Sequence, residues 1–78
     1  MKVIIWTNSD PWKSIQAKKI WVGDMECIPR QGDVIQILER VETVERVEWI
    51  MCVDGIRSQH EAHLCVEPDY NNIYKEIK

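Results

Sequence analysis

From Glu39 to Ile50 the chain runs as four acidic triplets, ERV, ETV, ERV and EWI, and this stretch limits the fold more than any other. A period of three suits neither regular structure. On a helix the valine stripe drifts by about 60° per triplet, and on a strand every second valine changes face. The conflict resolves if a tight turn near Glu39 and Arg40 opens the segment and one extra residue, a β-bulge, falls between Val44 and Val47. Beyond the bulge Val47, Trp49, Met51 and Val53 alternate, which predicts a half-buried strand with Trp49 in the core.

The remaining apolar runs are also short and bounded by turn residues. Lys2 to Thr7, reading KVIIWT, is β-branched and aromatic and predicts a first strand that buries Trp6. Asn8-Ser9-Asp10-Pro11 ends it, with Ser9 or Asp10 placed to cap a helical turn and Pro11 at its first position. A helical turn or irregular segment from Trp12 precedes a strand near Lys18 to Val22, closed by Gly23-Asp24. Pro29 to Asp33 is a turn in which Gly32 is free to adopt a positive φ. Val34 to Leu38 is a further strand. Asp54-Gly55 opens a loop through Gln59, and Glu61 to Glu67 alternates with Ala62, Leu64 and Val66 inward and His63 and Cys65 outward. Pro68 stops it. Asp69 to Ile77 predicts one or two helical turns capped by Asp69, with Tyr70, Ile73, Tyr74 and Ile77 at helical spacing.

About five short strands in 78 residues, with no long repeat, low-complexity segment or linker, predict one domain over residues 1–78. The expected fold is mostly β: a small SH3-like or OB-like antiparallel barrel, closed so as to remove its edges, with a short C-terminal helical segment. A chain this short buries only about 60% of its unfolded surface, so self-association is an expected source of extra stability.

The order Ile28-Pro29-Arg30, Gly32-Asp33-Val34, then Val44 and Val47 with Trp49, resembles a pattern in small bacterial and phage-encoded proteins. That pattern is a Pro-Arg turn, Gly-Asp opening a strand, and Val-x-x-Val-x-Trp. The similarity covers about half the chain and its motifs are structural. It implies a small β-barrel and a phage or mobile-element setting, and it carries over no functional residue.

Charge and composition narrow the function classes. Thirteen acidic against ten basic side chains give a net charge of −3, which repels phosphate on average. A local patch of Lys13, Lys18, Lys19 and Arg30 is the feature that would favour a nucleic-acid-binding barrel, the alternative function. No run of about 18 apolar residues is present to cross a bilayer. Met1 opens directly onto the first strand without the features of a signal peptide, and Cys27, Cys52 and Cys65 are odd in number and irregularly spaced. Both observations predict reduced thiols in the cytoplasm.

Each cluster with chemical potential also has a plain structural explanation. Glu39, Glu42, Glu45 and Glu48 read as a solvated acidic face, since nothing separates them into an acid and a base. His60, His63 and Cys65 lack the paired spacing of a zinc site and read as surface imidazoles and a small apolar thiol, so no metal or other cofactor is expected. Three isolated glycines make no phosphate cradle, and no small-molecule substrate is evident. The expectation is a non-enzymatic protein-interaction module whose partner is another protein or a second copy. Its candidate binding residues are Trp12, Trp21, Tyr70 and Tyr74, because Trp and Tyr join a large apolar area to a polar handle.

Overall fold

The computed structural model describes residues 1–37, 39–50 and 60–70. It is mostly β. The strands are β1 (Lys2–Thr7), β2 (Lys18–Asp24), β3 (Val34–Ile37), β4 (Arg40–Thr43), β5 (Arg46–Ile50) and β6 (Glu61–Val66), with a 3-10 turn over Pro11–Lys13 between the first two. They form a four-stranded sheet in the order β2-β1-β6-β5 and a separate β3-β4 hairpin. Among the described residues no ladder joins the two sheets. The larger sheet is mixed instead of wholly antiparallel, because β1 and β6 run parallel with Lys2 opposite Glu61 and Thr7 opposite Val66.

Strand alternation puts Val3, Ile5 and Thr7 of β1 beside Ala62, Leu64 and Val66 of β6, all at 0% exposure. Ile20, Ile37 and Val44 complete one core that both sheets share. Apart from Ala62 and Leu64 these are β-branched side chains, and burial of each large apolar one contributes about 1.5–3 kcal/mol. Trp21 packs against this core with its indole over Gly23. A Cβ at Gly23 would lie 2.5 Å from the Trp21 ring, so only glycine leaves the indole its place.

The period-three conflict is resolved by a change of sheet, and the bulge expected between Val44 and Val47 is not the device used. Val44 still belongs to the hairpin, donating its N–H to Asp33 O at 2.8 Å and accepting from Gly32 N at 2.8 Å. The next residue, Glu45, already donates to Cys65 O on β6. One peptide step therefore carries the chain from hairpin to sheet, and Val44 and Val47 both reach the core. The register shift lies elsewhere, between Ile5 and Trp6 of β1, where Ile20 is the extra residue on β2. It turns Ile20 inward and leaves Lys19 opposite Trp6.

Gly32 has φ +92°, as its turn requires. Trp6 is half-buried on the face of β1 turned away from the core, and Trp49 is 51% exposed, both contrary to their expected places in the core. Trp49 shares the face of Val47 but sits near the end of β5, an edge strand of the sheet, opposite the small Ala62. Glu42 is 5% exposed and lies 3.5 Å from Arg40, so it does not belong to a solvated acidic face. Its alternation with Val41 and Thr43 turns it inward. Asp69 is buried with its carboxylate 3.5 Å from Lys18 Nζ. The expected helical turns beyond Tyr70, with Ile73, Tyr74 and Ile77, lie outside the described residues. So do Leu38, Met51, Cys52, Val53 and the loop from Asp54.

Candidate functional site

The outer face of the four-stranded sheet mixes charged and polar side chains with apolar ones, and the register brings its members into rows. Lys19, Trp6, Cys65 and Arg46 form one row across β2, β1, β6 and β5, and Val22, Ile4, His63 and Glu48 form the next. The Trp6 indole donates Nε1–H to His63 Nδ1 at 3.0 Å, and the two rings stack with centroids 6.2 Å apart. An indole N–H is only a donor, so Nδ1 holds a lone pair and the imidazole proton sits on Nε2. That nitrogen lies 3.1 Å from Glu61 Oε2, and Lys2 Nζ is 3.5 Å from the other Glu61 oxygen. The His63 hydrogen bond, followed by Lys2, holds the Glu61 carboxyl below its ordinary value against a smaller opposing effect of burial.

Beside this chain of contacts Arg46 donates from Nη2 to Cys65 Sγ at 3.5 Å and from Nε to Glu48 Oε1 at 2.9 Å. The sulfur contact, then the Glu48 charge, raises the Arg46 value further. Cys65 is on the predicted outer face but is only 5% exposed, because Trp6 and Arg46 flank it. His63 is half-buried between Ile4 and Glu48, with the Trp6 ring against it.

Against this face opens a cavity of about 610 Å³, bordered also by residues Asn8 to Asp10 after β1 and by Pro68 and Tyr70 after β6. Its charged lining is Asp10, Glu45 and Glu48 against Arg46, three carboxylates to one guanidinium. Asn8 Nδ2 donates to Glu45 Oε1 at 2.7 Å across one end. The Tyr70 hydroxyl donates to Asp10 Oδ2 at 3.1 Å, which raises the Tyr70 value because ionising the phenol would lose that bond and face two anions together.

The Pro11–Lys13 turn stands at the rim of this cavity. Asp10 and Ile15 close it with a pair of backbone bonds, Asp10 N to Ile15 O at 2.8 Å and Ile15 N to Asp10 O at 3.0 Å. Ser14 completes it at φ 56°, a left-handed conformation that costs a non-glycine residue about 1 kcal/mol. Trp12 at the tip is 97% exposed. Lys13 Nζ lies 4.7 Å from the centre of the Tyr70 ring.

Of the sequence-predicted binding residues, Trp12 and Tyr70 are thus brought to one corner, both exposed. Trp21 does not join them, since its indole is folded onto the core. Tyr74 lies outside the described residues. The basic residues are dispersed among intramolecular contacts, Lys18 with Asp69, Lys19 6.0 Å over the Trp6 ring and Lys13 on Tyr70. Among the described residues no group of three or more His, Cys, Asp and Glu side chains is placed to hold a metal ion, and no helix is long and apolar enough to cross a membrane. Sequence reading missed the Trp6–His63–Glu61 chain and the acidic cavity. The signal available for them was the outward alternation of His63 and Cys65, while Trp6, expected in the core, lies on that same outer face.

Comparison with protein-family models, curated proteins and solved structures returns no match to this chain.

Proposed function

We propose that this chain is a non-enzymatic protein-interaction module whose docking corner is the Pro11–Lys13 turn with Tyr70 beside it. One observation carries the reading: an indole 97% exposed on a turn closed by backbone bonds on both sides. Burying such a ring removes a large apolar area from water at little conformational cost, which is why tryptophan anchors interfaces. The non-enzymatic part rests on how the outer-face groups are occupied. Trp6 takes the His63 nitrogen that would act as a base, and Arg46 is shared between Cys65 and Glu48.

The two sheets are the halves of a small barrel of the SH3-like or OB-like kind on this reading. Their common core and the single-residue passage at Val44 and Glu45 support it. The test of the docking corner is selection of displayed peptides on the wild-type chain with counter-selection on Trp12→Ala. A consensus that binds the first and not the second is expected. Peptides that bind both equally would remove Trp12 from the docking surface.

A further inference from the structure

The corner that carries Trp12 also borders the cavity, and the two are complementary in charge. Resting on the reading above, we propose that the occupant of the cavity is the Trp12–Lys13 tip of a second copy of this chain, each copy inserting its tip into the other. The tip presents one exposed indole and one ammonium. The cavity presents three carboxylates against one guanidinium, with aromatic walls from Trp6 and Tyr70. A side chain of the Lys13 type is the group such a lining recognises, while a phosphate group is repelled by it.

The placement suits a two-fold pairing. Asp10 lines the cavity and immediately precedes the tip, and Tyr70 lines it and touches Lys13. Tip and cavity are therefore neighbours on one surface. A two-fold axis beside them brings each tip against the other copy's cavity with the same contacts made twice, the self-complementary arrangement that closed dimers use. In the single chain Lys13 rests on its own Tyr70 in an exposed contact. In the pair it exchanges that contact for Glu45 and Glu48 of the other copy. Glu48 keeps an oxygen for it, since Arg46 holds only Oε1, and Asn8 likewise holds only Oε1 of Glu45.

Sedimentation velocity of the full chain across micromolar to millimolar concentration tests this, with Lys13→Glu, Glu48→Lys and Trp12→Ala alongside. The wild type is expected to form a dimer that weakens roughly tenfold or more as salt rises, since paired charges at an interface rim are screened. Each variant alone is expected to be monomeric. An equimolar mixture of Lys13→Glu with Glu48→Lys is expected to form a heterodimer again, because one of its tip-cavity contacts pairs the two exchanged charges and the other keeps the wild-type pair. Circular dichroism checks that each variant is folded, and Lys13→Glu and Trp12→Ala alter only the exposed tip. A wild type that stays monomeric throughout, or a dimer untouched by Lys13→Glu and Trp12→Ala, overturns the proposal. If the chain is monomeric yet selects peptides through Trp12, the interaction reading stands and the second copy is the wrong occupant.

Discussion

The two faces of the four-stranded sheet are built from alternate residues of the same strands and behave as different materials. The inner face of β1 and β6 is Val3, Ile5, Ala62, Leu64 and Val66, fully buried and apolar but for Thr7. The outer face interleaves Trp6, His63, Cys65, Arg46 and Glu48, half-wet and held by directional contacts. Inner-face stability comes from area and packing and is insensitive to pH. Outer-face contacts contribute less each, but they fix side-chain positions around a cavity. Substitutions on the inner face are therefore expected to unfold the chain, and those on the outer face to alter side-chain positions around the cavity.

The largest expected effect lies on the inner face. Leu64→Ala removes a fully buried side chain at the centre of the core and should cost about 2–5 kcal/mol in urea unfolding. A cost under about 1 kcal/mol would contradict the packing described for that face. Gly23→Ala comes next. Its methyl group would meet the Trp21 ring, so a loss of about 1–3 kcal/mol is expected, with a shift in tryptophan emission as the indole moves.

Outer-face changes should be smaller and chemically specific. Trp6→Phe keeps a ring but removes the N–H that His63 Nδ1 accepts, for an expected loss of about 1 kcal/mol. Its sharper readout is nitrogen NMR of His63, where one tautomer should give way to a mixture. Glu61 tests the same network by pH. Its folded value is depressed by His63 and Lys2, so its contribution is present above the ordinary value of 4.5 and is lost as pH falls through the lower, folded value. The stability gap between wild type and Glu61→Gln should therefore be largest near neutrality and shrink in that acid range. A gap that widens on acidification would contradict the assignment.

How much of this was legible in the sequence depends on whether the cause was local. The β1 span from Lys2 to Thr7, the inward set Ala62, Leu64 and Val66, and the positive φ at Gly32 follow from alternation and turn chemistry, which act over a few residues. The parallel β1-β6 pairing was not legible, because it joins segments some 60 residues apart and no local pattern encodes it. The odd spacing of Val44 and Val47 correctly announced an interruption, but a bulge and a change of sheet satisfy the same count. Trp49 and Glu42 were misplaced for a related reason: alternation gives a residue's face, while burial depends on what the neighbouring strand supplies. Trp12 and Tyr70 could be chosen as amphipathic residues outside the strong strands. Their meeting beside an acidic cavity depends on Asp10 accepting from Tyr70, a contact across 60 positions.

Trp12→Ala should have the smallest effect on folding and the most direct one on function. Stability and self-association of this variant, measured on the same sample by urea unfolding and sedimentation, test the division between a stabilising inner face and a binding corner. Unfolding within about 0.5 kcal/mol of wild type together with loss of the dimer is expected. Marked destabilisation with association intact would contradict it.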